Sequence, residues 1–214
     1  MSLTEYIFLA ASSLFVIVDP LAAVPAFLAM TPTDTPEQRI RMGRLACCVA
    51  GSVLLAFAIA GKWIFKFLGI TMPAFRLAAS IVLLLVALDM LRARRSRVHE
   101  TSEETAAGVE KADIAVTPLA VPMLAGPGAI STAIVLHDQA ANLGQRLALY
   151  ACIVAVCVGS YLILRISAHG ARWLSPIALS ITARIMGLLL AAIAMQFMLK
   201  AVWQLNPAWF PAGV

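Results

Sequence analysis

Tyr6-Ile-Phe-Leu-Ala-Ala-Ser-Ser-Leu-Phe-Val-Ile-Val-Asp19-Pro20-Leu-Ala-Ala-Val-Pro25-Ala-Phe-Leu-Ala-Met30 carries a single charge along its whole length. A helix crossing the hydrocarbon core of a bilayer needs about 20 largely apolar residues, so this stretch reads as a membrane span. Its one acid, Asp19, falls near the centre with Pro20 and Pro25 beside it. Proline lacks a backbone donor and clashes with the preceding turn, at a cost of about 3 kcal/mol in a helix interior. The span is therefore expected to be broken or unwound around Asp19. Freed backbone groups at membrane depth are tolerated only where they are buried in protein or line a cavity. A midplane charge costs roughly 2.5–3.5 kcal/mol, so it too needs partners or water. The plain alternative is a proline kink with the Asp19 carboxyl protonated or bonded to a neighbour.

Working outward, five more apolar stretches qualify as spans: Gly43–Gly61, Met72–Leu91, Asp113–Leu136, Leu147–Ile166 and Leu179–Val202. The chain is 62% hydrophobic and 13% charged, whereas roughly a quarter of a soluble domain is charged. Little sequence remains for a soluble catalytic domain; the sizeable polar insert is Arg92–Lys111. No positive residue precedes the first span, and it runs past the usual signal-peptide length, so it reads as retained.

The net charge of +5 reports orientation rather than an acidic partner such as nucleic acid. With Met1 outside, ten basic residues (Arg39, Arg41, Arg44, Arg92, Arg94, Arg95, Arg97, Lys111, Arg165 and Arg172) fall on the cytoplasmic side. Lys62, Lys66, Arg146 and Lys200 fall outside, which obeys the positive-inside rule. Both termini are thus expected to be periplasmic or extracellular, in a multi-pass protein of the plasma (inner) membrane.

Residues 94–112 read as a cytoplasmic linker between two halves, residues 1–93 and 113–214. Asp19-Pro-Leu-Ala-Ala-Val-Pro25 in the first half resembles Thr117-Pro-Leu-Ala-Val-Pro122 in the second. Arg76 and Met90-Leu-Arg-Ala93 match Arg184 and Met198-Leu-Lys-Ala201 at a constant offset of 108 residues. Three spans per half is an odd number, so the second copy must enter the membrane from the opposite side. The expected fold is all-α: six transmembrane helices as two inverted three-helix repeats, with the first and fourth helices broken. Inverted repeats are common in secondary transporters, because exchanging the conformations of the two halves turns an outward-open state into an inward-open one.

The fourth span supplies the second break. Thr117-Pro118 and Val121-Pro122 lead into Gly126-Pro127-Gly128, followed by Ser131 and Thr132. Glycine permits close backbone approach, and Pro127 suits the first turn of a new helix. The amides after Gly128 then form a half-helix N-terminus that attracts anions such as a carboxylate. With Asp19 and carbonyls near Pro20 facing an ammonium, the two breaks suit a zwitterion; the plain alternative is a turn that serves packing alone. Arg76 and Arg184 read equally as snorkelling side chains or as a gate or counter-charge. Asp89 and Arg92 suit a helix-surface pair, and Ala183, Gly187 and Ala191 favour close helix packing. Trp63, Trp173, Trp203 and Trp209 read as interfacial anchors. Cys47, Cys48, Cys152 and Cys157 read as small packing residues. No metal-ligand spacing, P-loop, nucleophile elbow or dinucleotide fingerprint occurs, so no metal, cofactor, nucleic acid or enzymatic activity is expected.

On Asp19 to Thr31, Pro118 to Thr132 and Arg184-Ile-Met-Gly-Leu-Leu-Leu-Ala-Ala-Ile-Ala-Met-Gln-Phe197, the sequence resembles the MarC family, which includes SnatA-like neutral amino-acid transporters. The resemblance spans almost the whole chain. It implies a six-span prokaryotic inner-membrane protein that moves glycine, alanine or serine, with proton coupling and homo-oligomers both compatible. Two positions depart from the family pattern: Ala22 stands where glycine is frequent, and Ala79-Ser80 where a glycine pair is usual. Both add bulk near the expected pocket. An exporter of another small solute or drug, and a membrane scaffold that moves nothing, are the competing readings.

Overall fold

The computed structural model describes residues 1–31, 34–91, 115–170 and 176–205. Seven α-helices and one π-helical segment occupy them, with no strand among the described residues. They are α1 (Leu3–Val18), α2 (Pro20–Met30), α3 (Pro36–Leu68), α4 (Met72–Leu91), the π segment (Ala115–Leu124), α5 (Pro127–Gln139), α6 (Leu143–Gly170) and α7 (Pro176–Leu205). Among the described residues, four runs are long and apolar enough to cross a membrane: Leu3–Leu28, Pro36–Leu68, Leu143–His169 and Arg184–Leu205. Met72–Leu88 is a shorter apolar helix. The linker 94–112 and the Asp89–Arg92 pair lie outside the described residues and side chains, as do Trp173 and Trp209.

Local chemistry sets the helix ends. Ser2 and Glu5 cap α1 reciprocally, and Thr35 and Gln38 do the same for α3, with Pro36 in its first turn. Gly69 ends α3 in the left-handed region at φ 65°. At 33 residues α3 is about 50 Å long. That exceeds the hydrocarbon core, so the expected span Gly43–Gly61 is only its middle.

Large apolar side chains cover the outside of the bundle: Phe67 is 90% exposed, and Phe8, Val16 and Ile166 are also exposed. Such a surface is tolerated where lipid, not water, is the neighbour. Inside, Tyr6, Leu14, Phe27, Leu54, Leu119, Leu124, Leu149, Ile153 and Leu164 are fully buried. The helices α3 and α6 pack together, as do α4 and α7. α1 lies on α6, and the π segment lies on α3; α2 meets α6 and α7, and α5 meets α3 and α4. Cys47 and Cys152 are buried and Cys157 half-buried, as packing residues should be, but Cys48 is exposed. It stands beside Cys47 on α3, so it points away from the buried face.

The α4–α7 contact depends on Gly187, where a Cβ would stand 2.9 Å from the Ala87 carbonyl oxygen and 3.0 Å from Leu91. Gly187→Leu is expected to force these helices apart and destabilise the protein by about 2 kcal/mol. Melting in detergent checks it, with Gly159→Leu as the comparison, since nothing lies within 4 Å of that position. Equal melting of the two variants would remove Gly187 from the packing.

Candidate substrate site at two helix breaks

Both expected interruptions are present, and in each a proline fills the first turn of the helix that follows. Asp19 is left-handed at φ 44°, ends α1 and begins α2. Its carboxylate accepts a hydrogen bond from the Ala22 amide at 3.2 Å, and Pro20 fills the first turn. In the second break Gly126 begins α5 with Pro127 in the first turn. The first helical bond runs from Ala23 N to the Asp19 carbonyl in one break and from Ile130 N to the Gly126 carbonyl in the other.

Asp19 and Gly126 are 107 residues apart, and the same spacing carries Pro20 to Pro127, Ala23 to Ile130 and the helix cap Thr35 to Asn142. It also carries Gln38-Arg39 to Gln145-Arg146. The caps agree as well as the letters do. Gln38 N donates to Thr35 Oγ1 and Gln145 N donates to Asn142 Oδ1, while each glutamine side chain accepts from a backbone amide just before its helix. The phrase match of Asp19–Pro25 with Thr117–Pro122 therefore does not align the breaks. Thr117–Pro122 lies in the π segment, ahead of the break. Short apolar phrases recur easily, whereas a proline-initiated helix after a chain break is a backbone event.

The Asp19 carboxylate is exposed rather than enclosed. Pro20 and Pro127 are fully buried, Pro122 is buried, and Pro25 sits half-buried inside α2. The side chains of Thr117 and Pro118 lie outside what is described. Gly126 has no side chain to cap α5. The amides of Gly128 and Ala129 precede the first intrahelical bond, leaving them without a helical partner. Gly128 also brings the breaks together: a Cβ there would lie 3.2 Å from Ile17 and 3.3 Å from Phe197. The end of α1, the start of α5 and α7 thus meet at one place.

One turn into α5, buried Ser131 donates to the Pro127 carbonyl at 2.6 Å. Arg76 of α4 donates from Nε to Ser131 Oγ at 3.1 Å and from Nη1 to Gln204 Oε1 at 3.0 Å. Half-buried Arg76 is therefore tied to both α5 and α7. No carboxylate pairs with it among the described residues. Arg184, its counterpart in sequence, is exposed. The 107-residue spacing puts Val24 where Ser131 stands, and valine offers no hydroxyl to a guanidinium. Thr132 is half-buried beside the site.

Sequence reasoning passed over two further places. At the end of the bundle where α2 stops, buried Arg39 donates to the Thr31 carbonyl from Nε at 3.0 Å and from Nη2 at 2.6 Å. Its Nε also lies 3.3 Å from Thr31 Oγ1. At the other end, near Met1, a cleft of about 370 Å³ is lined by Ala58, Ile59, Lys62, Trp63, Ile134, His137, Asp138 and Arg146. Lys62 and Asp138 pair there at 2.8 Å. The Gln-Arg pair repeated at the two helix starts was the signal that could have found both.

The family model described as MarC family integral membrane protein matches residues 4–205. The chain is 36% identical over 199 residues to the UPF0056 membrane protein MJ1677 of Methanocaldococcus jannaschii, covering 92% of this chain and 96% of that protein. It is 35% identical to the UPF0056 membrane protein YvbG of Bacillus subtilis, covering 85% and 87%. The UPF0056 membrane protein YhcE of Escherichia coli is 27% identical, covering 91% and 90%. No solved structure matches.

Proposed function

The chain belongs to the MarC family of integral membrane proteins, and on that footing we propose that it is a secondary carrier of small neutral amino acids working by alternating access. In this reading six crossings form two inverted halves. The α1–α2 pair is the first crossing, and the π segment with α5 is the fourth. The packing supports it: exchanging the halves turns the α1–α6 contact into the π–α3 contact and the α2–α7 contact into the α5–α4 contact. The charge distribution supports both termini facing away from the cytoplasm of a prokaryotic cell.

The observation that carries the proposal is the meeting of the two breaks at Gly128 and Ile17, with one break acidic and the other rich in donors. The amides of Gly128 and Ala129 suit a carboxylate, and Arg76, whose partners Ser131 and Gln204 are both neutral, adds an uncompensated positive charge nearby. Asp19 suits an ammonium group. An exposed carboxylate at mid-span has to face water or a polar ligand rather than lipid. A resident cation beside the break disfavours the alternative of a cationic drug as cargo.

Uptake of labelled glycine, alanine and serine into proteoliposomes tests the proposal, with and without an imposed proton gradient. Asp19→Asn is expected to retain the break, since asparagine also tolerates the left-handed region, while reducing uptake about tenfold or more through loss of one charge contact. No uptake of any of the three by the native chain would remove the substrate class. Unchanged uptake in Asp19→Asn would remove Asp19 from the site.

A further inference from the structure

The two ends of the bundle carry the same parts in different arrangements. The 107-residue spacing maps Thr31 onto Asp138 and Arg39 onto Arg146. In both cases the arginine lies eight residues beyond that position and is the fourth residue of the next long helix, α3 from Pro36 or α6 from Leu143. At the Thr31 end the arginine is buried, 5% exposed, and clasps the carbonyl of Thr31, the residue that caps the C-terminus of α2. At the Met1 end Arg146 is exposed and lines an open cleft between α3, α5 and α6. The neighbouring glutamines are exchanged in the opposite sense: Gln38 is exposed, whereas Gln145 is buried and donates to the Met1 carbonyl at 3.1 Å.

We propose that Arg39 on Thr31 is a closed latch and that Arg146 in the Met1-end cleft is the same latch open, so that the two exchange states as the carrier changes the side it faces. On closure Arg146 takes the Asp138 end of α5 as Arg39 takes the Thr31 end of α2. A guanidinium at a helix C-terminus meets the negative end of the helix dipole, and a bidentate grip on one carbonyl fixes the helix in place. Asp138 then exchanges Lys62 for Arg146. The Lys62–Asp138 pair has its lysine side chain 67% exposed, so breaking it costs little. The cleft is the mouth that this closure removes. Arg39 and Arg146 are gating residues and touch no substrate. The inference rests on the carrier reading, but its test does not need the substrate.

The experiment uses the full chain in liposomes, with its four native cysteines replaced and one reporter cysteine at a time. His137→Cys reports the cleft, and Met42→Cys, one turn past Arg39 and buried, reports the latched end. A membrane-impermeant thiol reagent is applied to each side and the labelling rate is measured. The native latches should give fast labelling at position 137 and slow labelling at 42. Arg39→Ala should raise the rate at 42 and lower it at 137, each by about tenfold, as expected for a shift between two states. Arg146→Ala should leave 137 fast and 42 slow. Arg39→Lys keeps the charge but loses the bidentate grip, and it should move both rates in the direction of Arg39→Ala by a smaller factor; it stands in if the alanine variant does not fold. Unchanged rates in the Arg39 variants, or rates that rise together at both ends, overturn the latch. Reciprocal rates in a chain that takes up no amino acid would keep the latch and refute the substrate class.

Discussion

Gly126→Val melts well below the parent in detergent and shows no measurable uptake in liposomes. This is the expected result, because a Cβ at position 126 would stand 2.6 Å from the Pro122 carbonyl oxygen. That atom belongs to the backbone and cannot rotate aside. The turn is already drawn tight by the bond from Ala125 N to the Ala120 carbonyl at 2.8 Å. Gly126 itself has φ −74°, a conformation open to any residue, so the demand for glycine comes from close approach alone. Overpacking against fixed atoms costs about 3 kcal/mol at its upper range. The break cannot relax without moving the α5 N-terminus, so binding and stability are lost together. Gly128→Ala is the informative contrast. Its Cβ would meet side-chain atoms of Ile17 and Phe197, which can yield by a few tenths of an ångström. It should fold normally. A Gly126→Val protein that melts like the parent would mean that the break is not held as described.

The second large effect is expected for Arg76→Gln. Its guanidinium spans Ser131 on α5 and Gln204 at the end of α7, with neutral oxygens at both contacts. In the proposed site this charge also faces the substrate carboxylate; one charge-assisted contact is worth about 1.5–3 kcal/mol, so its loss should raise the substrate KM by roughly 10- to 100-fold. Ser131→Ala leaves the arginine its Gln204 contact and should have a smaller effect. Arg184→Gln should transport normally, since that side chain is exposed. Concentration-dependent uptake by the four proteins decides it. If Arg76→Gln and Arg184→Gln lose the same small amount of activity, the donor-rich site is misassigned.

These two arginines illustrate how far sequence reaches. Their phrases align without a gap, and the α4 and α7 helices that carry them pack on each other. Yet the Arg76 guanidinium finds a hydroxyl at Ser131 on another helix, whereas Arg184 is exposed. The partner of a side chain is a fact about another helix, and no local phrase contains it. The same limit explains the misaligned repeat. Asp19–Pro25 and Thr117–Pro122 look alike as strings, yet the first contains a helix start at Pro20 while the second lies in the π segment, ahead of the helix start at Pro127.

By itself the sequence determined that the chain is helical and membrane-embedded, and that two of its apolar runs are interrupted at Asp19-Pro20 and at Gly126-Pro127. Those outcomes follow from local physics: apolar length, missing amide donors and the steric needs of proline and glycine act within a few residues. The tertiary structure alone decided that the breaks meet at Gly128, that Arg76 is held by Ser131 and Gln204, and that Arg39 is buried while Arg146 is exposed. Each of these is a contact between residues distant along the chain or a difference between two similar segments. They are set by how long helices pack against one another, which is a property of the assembled bundle.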